Sequence, residues 1–157
     1  MTVIELTTAL ATTPERAFDL SIDVDAHTAS MTGSGERIAG GVRSGRLTLG
    51  DTVTFAARHF GLPWRMTSRI TAYDRPRRFV DEQVRGPFRA WRHEHTFAWD
   101  DALGVTIARD VVHFTAPLGF LGWMVEKVVL ERYMRRILTV RNAYLARTLK
   151  NAPDRPE

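Results

Sequence analysis

The chain has 157 residues, 44% of them hydrophobic and 25% charged, with no cysteine and a formal net charge of +4. A chain of this length buries roughly 70% of its unfolded surface; its apolar fraction excludes a disordered chain, and the lack of cysteine excludes a disulfide framework, a thiolate metal cage and a cysteine nucleophile. Only Lys127 and Lys150 are lysines, and the arginines are interleaved with acids, as in Asp74-Arg75-Pro76-Arg77-Arg78, which fits a solvated surface and not a nucleic-acid face.

From Thr2 to Ala11 the residues alternate, with Ile4, Leu6, Thr8 and Leu10 on the more apolar face, so a strand is expected. Thr13-Pro14-Glu15 then offers a helix start, and a short helix should run through Ala17, Phe18 and Leu20. A second short helix is expected between Asp23 and Met31, capped at Asp23 or Asp25. Residues 32–50 carry most of the glycines and should hold turns between short strands. Strands follow at Asp51–His59, Trp64–Tyr73, Phe79–Arg85, Phe88–Trp99 and Val105–Thr115. Their separators are Phe60-Gly61-Leu62-Pro63, Asp74-Arg75-Pro76, Gly86-Pro87 and Asp101-Ala102-Leu103-Gly104. Phe120 to Lys150 reads as one long helix with an apolar stripe of Leu130, Met134, Ile137, Leu138, Tyr144 and Leu145. The order of elements is that of an α+β domain over residues 1–150, with 151–157 a frayed tail. A curved antiparallel sheet covered by one long helix leaves a space between them.

The strand from Phe88 to Trp99 decides what faces that space. Period two puts Trp91, His93, His95, Phe97 and Trp99 on one face and Arg92, Glu94 and Thr96 on the other. The aromatic face must be the covered one. A four-residue loop at 101–104 sets Trp99 opposite Thr106, His95 opposite Asp110 and His93 opposite Val112; the Gly86-Pro87 turn sets Asp81 near His93. A covered carboxylate needs a partner, and an imidazole is the cheapest one.

Three readings of His93 and His95 stay open. One is a structural polar network satisfied by Asp81 and Asp110. Another is a ligand pocket in which His95 with Asp110 also has the makings of a general acid/base pair. The last is a metal site, with His-x-His on a strand and Asp110 as the third ligand. Arg141 interrupts the helix stripe; it either snorkels at the edge or meets Asp110, Asp81 or a ligand anion. Trp64 and Met66 alternate on their strand and are expected in the core or the pocket wall. His27 is placed at a cavity mouth, His59 is a weaker candidate, and His113 is expected to face solvent. No phosphate-binding glycine loop and no nucleophile elbow is present.

Several segments together carry a family likeness. They are Gly50-Asp51, Phe60-Gly61, Arg78-Phe79-Val80-Asp81-Glu82-Gln83, Gly86-Pro87-Phe88, Trp91-Arg92-His93-Glu94-His95-Thr96-Phe97, Asp110, and Pro117-Leu118-Gly119-Phe120-Leu121-Gly122. In them the chain resembles the START-related polyketide cyclase/dehydrase superfamily (SRPBCC), and within it a bacterial ligand-binding branch. The resemblance implies the helix-grip fold of the birch pollen allergen, a seven-stranded antiparallel sheet around a long C-terminal helix and an apolar cavity. It implies binding of a lipid- or polyketide-like hydrophobic molecule, with cyclase or dehydratase activity through His95 and Asp110 as the alternative. The superfamily's catalytic residues differ between branches, so none is carried over. The residues expected at the ligand are Trp64, Met66, Asp81, Trp91, His93, His95, Phe97, Asp110 and Arg141. No cofactor and no bound metal is expected. The first residues lack a signal-peptide pattern and no apolar run reaches the length of a membrane span, so a cytoplasmic protein without stable membrane insertion is expected, with homodimerisation left open.

Overall fold

A computed structural model describes residues 1–117 and 129–151. The Leu118–Gly122 part of the family likeness, the expected first turns of the long helix and most of the expected tail lie outside the described residues.

The seven strands are β1 (Thr2–Leu10), β2 (Arg37–Gly41), β3 (Thr52–His59), β4 (Leu62–Asp74), β5 (Arg78–Arg85), β6 (Ala90–Asp100) and β7 (Val105–Thr115). They form one antiparallel sheet in the order β1-β7-β6-β5-β4-β3-β2. The first two strands are therefore the two edges. The chain crosses between them through α1 (Pro14–Ser21), α2 (Val24–Ser30) and a 3-10 turn at Thr32–Ser34. The helix α3 (Glu131–Asn151) packs on β1, α1 and α2.

Local chemistry accounts for most boundaries. Pro14 takes the first position of α1, where its missing N–H costs nothing, although the Thr13 side chain makes no capping bond. Asp23 caps α2 by accepting from the backbone N–H groups of Asp25 and Ala26, each at 2.9 Å. The β3–β4 turn is shorter than the sequence suggests. Phe60 and Gly61 both have positive φ (53° and 74°), as a two-residue hairpin requires, and the strand resumes at Leu62. Pro63 is tolerated because it pairs with Arg58, one step past the closing His59–Leu62 pair, where a strand N–H points away from the partner; β5 pairing begins only at Thr67. Between residues 32 and 50 the sheet gains one strand, not several. The rest of that segment is tied to α2, with Gly45 N–H donating to Asp25 Oδ2 at 2.9 Å and Val24 N–H to the Gly45 carbonyl at 3.0 Å. Gly41 ends β2 at φ 74°, and a Cβ there would lie 2.1 Å from the Thr52 carbonyl oxygen, so no other residue fits.

Register shifts at Ile38/Gly40, Thr67/Ser68 and Ile70/Ala72 bend the sheet toward α3. Two apolar clusters fill the concave side. One gathers around Phe18 of α1, whose ring meets Tyr73 and Phe79 edge-on at 5.3 Å and Phe97 at 5.8 Å. The other holds Ile4, Phe88, Trp91, Val112, Phe114 and Leu138. Trp99 departs from the expected pattern and is 46% exposed. The β1–α1 turn closes over its cross-strand neighbour Thr106, which donates to the Thr12 carbonyl at 2.6 Å, and leaves the indole at the margin.

Candidate functional site

The β6 alternation places Trp91, His93, His95 and Phe97 on the buried face. On the other face Glu94 binds Arg78 and Arg92, and these hydrogen bonds hold its carboxyl down at about 2. Asp100 opposes Val105, Trp99 opposes Thr106, His95 opposes Asp110, His93 opposes Val112, and Asp81 on β5 opposes His93. The β6–β7 pairings follow from the four-residue loop at 101–104. A two-residue Gly86-Pro87 turn would set Asp81 opposite Arg92; the ladder instead ends at Glu82–Arg92, with a longer connection that brings Asp81 opposite His93.

The side chains add a pattern that register alone does not give. Asp110 Oδ1 lies 2.9 Å from His93 Nε2 and 2.8 Å from His95 Nδ1, so one carboxylate oxygen serves both rings. The two rings are 3.7 Å apart, and their other nitrogens turn toward Asp81 Oδ2, which is 3.8 Å from His93 Nδ1 and 3.3 Å from His95 Nε2. Phe79 stacks on His95 at 4.1 Å and Trp91 stands edge-on to His93 at 6.2 Å. Behind Asp110, Asn142 donates to Oδ2 at 2.7 Å and to Thr8 Oγ1 at 3.1 Å. Arg141 is 4% exposed: its Nη1 is 3.6 Å from Asp110 Oδ1, and its Nη2 donates to the Ser21 carbonyl at 3.0 Å. The stripe position that suggested a snorkelling side chain is thus inside the protein, because α1 ends against α3 there and leaves a carbonyl for the guanidinium to cap.

Burial alone would raise the carboxyl of Asp110, but the hydrogen bonds from His93 and His95 and their charges outweigh it and hold it well below the carboxylate range. The same balance, with the His95 hydrogen bond as the main opposing influence, lowers Asp81. His93 moves the other way from a simple ion pair: burial, then the neighbouring His95, push it down from 6.5 to about 4 despite Asp110. A histidine depressed on folding destabilises the native state in acid. Between about pH 6.5 and 4 the unfolded chain binds a proton here that the folded chain refuses. Stability is therefore at its plateau above that window and falls by about 3 kcal/mol as pH drops through it. Urea unfolding of metal-free protein at pH 7.5 and 4.5 checks this. The expected result is a loss that His93→Asn reduces, the buried His59 keeping its own share; an equal loss in both proteins would contradict it.

A cavity of about 160 Å³ lies between the sheet and α3. Its lining includes Val53, Phe55, Ala57, Trp64, Met66 and Phe79 from the strands and Tyr133, Met134, Ile137 and Leu138 from α3. Asp81, Trp91, His93, His95 and Arg141 also reach it. Of the nine residues expected at a ligand, seven line the cavity. Phe97 is set back, because β6 carries it under α1 against Phe18 and Phe79, and Asp110 lies behind the two imidazoles. The cavity also meets residues that the sequence ranked low or left out. His27 Nε2 is 2.8 Å from Glu36 Oε1 and its ring stacks on Phe55 at 4.4 Å. His59 Nδ1 lies 2.7 Å from the Tyr133 hydroxyl, and burial lowers its pKa. Glu36 sits just before β2 in the glycine-rich segment, where no periodicity could point to it. The Trp91 indole N–H is buried without a hydrogen-bond partner among the described residues.

No protein-family profile matches the chain, and no curated protein matches its sequence. Solved structures do match in shape. The Thermus thermophilus protein TTHA0849 aligns with a TM-score of 0.72 at 12% identity, over 94% of this chain and 99% of that one. Norcoclaurine synthase from Thalictrum flavum aligns at 0.73 and 8% identity, over 98% and 89%. Ara h 8.0201 aligns at 0.60 and 15% identity, over 92% and 97%. The chain has the helix-grip fold. That is the architecture the START-related resemblance implies, and in this helix grip the sheet's concave wall carries an acid–imidazole cluster. Among the described residues no helix is long and apolar enough to cross a membrane.

Proposed function

We propose that the chain binds a compact hydrophobic molecule, of which we favour an aromatic, polyketide-like body, in the cavity between sheet and α3. The observation that carries this reading is the cavity itself: an apolar hollow with a few convergent polar groups at one place on its wall, the usual make-up of a small-molecule site. Its volume of about 160 Å³ suits a guest of roughly one to two rings, since a cavity near 150 Å³ admits benzene. A protein of the same fold, norcoclaurine synthase, was solved in complex with dopamine and hydroxybenzaldehyde, both single-ring molecules. Asp81 and His95 would orient a hydroxyl or carbonyl of the guest, and the apolar walls would supply the affinity.

Fluorescence titration with 2-naphthol tests the reading. We expect saturable binding at one equivalent, weakened at least tenfold in Ile137→Trp, which fills the hollow from α3 and should leave the circular dichroism unchanged. Equal affinity in both proteins, or no saturable binding, would sink it.

A second reading is acid–base turnover in the manner of a polyketide cyclase or dehydratase. It is favoured by the continuous Asp110–His95–Asp81 chain, in which Asp110 orients the ring and the nitrogen facing Asp81 is left to handle a substrate proton. The measurable consequence is faster deuterium uptake at the carbon beside the carbonyl of bound 2-tetralone, lost in His95→Gln while binding persists. Uptake at the same rate in both proteins argues against it.

A further inference from the structure

We infer that Asp81, His93 and His95 form a binding site for one divalent first-row transition metal ion, with Asp110 as the outer carboxylate that aims both imidazoles. It shares the cavity with the proposed hydrophobic guest but does not require that guest.

A carboxylate accepts hydrogen bonds, so His93 Nε2, 2.9 Å from Asp110 Oδ1, carries a hydrogen. His95 Nε2 shares one with Asp81 Oδ2 at 3.3 Å, while its Nδ1 lies 2.8 Å from Asp110 Oδ1. The two nitrogens that could ligate are then His93 Nδ1, with its lone pair, and His95 Nε2, which a metal ion would strip of that proton. Both turn toward Asp81 Oδ2, at 3.8 and 3.3 Å, and the three donor atoms all lie within 4.8 Å of one another. A lone pair, a shared proton and a carboxylate thus converge in one buried place. A proton on one edge of the triangle relieves one contact; a metal ion relieves all of them.

The surroundings match what metal sites use. A ligating histidine almost always donates its other N–H to a carboxylate, carbonyl or water. Here one carboxylate does so for both rings, and Asp110 is itself held by Asn142 at 2.7 Å and faces Arg141 at 3.6 Å. The donor set of two imidazoles and one carboxylate suits Zn²⁺, Co²⁺ or Fe²⁺. Modest side-chain adjustment brings the donors to the ~2.0–2.2 Å that zinc takes. Three protein ligands leave coordination positions free, and because Asp81, His93 and His95 all line the cavity those positions open into it. The His-x-His spacing was visible in the sequence. The carboxylate that completes the set is Asp81, however, and not Asp110, whose oxygen is taken up by hydrogen bonds on the far side of the rings.

The test uses tag-free full-length protein dialysed against chelator and titrated with Co²⁺, read by its visible d–d bands, then with Zn²⁺ in competition. We expect one Co²⁺ per chain, displaced by one Zn²⁺. Asp81→Asn should weaken binding by about 100-fold and Asp110→Asn by about 10–100-fold. His113→Ala removes an imidazole of β7 that does not line the cavity and should leave affinity unchanged. Absence of stoichiometric binding, or affinity indifferent to Asp81→Asn, overturns the site. Should Asp81→Asn fail to fold, proton NMR of the wild-type Co²⁺ form decides: two hyperfine-shifted exchangeable imidazole N–H signals are expected, and fewer would overturn it. Parallel 2-naphthol titrations of metal-free protein separate the two proposals. Retained naphthol binding without metal binding defeats only this inference, and the reverse defeats only the hydrophobic-guest reading.

Discussion

Replacing Asp110 with alanine is expected to cost about 3–5 kcal/mol of folding stability, the penalty for removing one member of a buried charged network. The residue is 3% exposed and its two oxygens satisfy His93, His95 and Asn142 while facing Arg141. Without it two imidazoles lose the carboxylate they face, and the buried Arg141 guanidinium, which keeps its hydrogen bonds to the Ser21 carbonyl and Asn142, loses a counter-charge. Asp110→Asn keeps the shape and one acceptor oxygen, so it should cost less than alanine. The pH dependence follows from the direction of the shift. The carboxyl is held well below its ordinary 3.8, so its contribution is fully present above that value and is lost as pH falls through the depressed one. The acid arm below about pH 4 should therefore shrink in Asp110→Ala. Urea unfolding at pH 7.5 gives the main number; a cost below about 1 kcal/mol would mean that the network is not what holds this part of the core.

Phe18→Ala is expected to cost about 3–5 kcal/mol as well, for a different reason. Phe18 is fully buried and its ring is the hub between α1 and the sheet, touching Tyr73, Phe79 and Phe97. Deleting it leaves a cavity that three large neighbours cannot collapse into without leaving their strands. Trp99→Ala is the matching control. It removes a larger aromatic from the face that strand periodicity groups with Phe97, yet at 46% exposure it should cost far less. Thermal unfolding of both variants compares them directly, and comparable losses would contradict the burial assigned to the two rings.

Much of this architecture was legible because turns set register and register sets faces. The glycine at 104, in the left-handed region at φ 64°, closes a loop whose length pairs His95 with Asp110. Alternation along β6 then settles which side chains are covered. What alternation cannot give is depth. Phe97 and His95 share a face, but one lies under α1 and the other at the cavity, a distinction made by where the helices land on a bent sheet. Asp81 and Asp110 both flank the imidazoles, and only the ring orientations assign one to the cavity and the other to the support behind it. Arg141 broke the helical stripe visibly, but its burial depends on the Ser21 carbonyl, 120 residues away in the chain. Glu36 carried no periodic signal at all. Trp99 shows the converse error, since a strand can run past the edge of what covers it.

The claim on which the functional account rests is that the hollow between sheet and α3 admits a guest. Methionine methyl NMR observes that space directly, because Met31, Met66 and Met134 line the cavity while Met1 is 74% exposed at the far end of the chain. With ¹³C-methyl methionine and 2-naphthol added to saturation, the Met66 and Met134 resonances should shift strongly and Met1 should not move. Unchanged Met66 and Met134 signals, or shifts confined to Met1, would contradict a binding cavity.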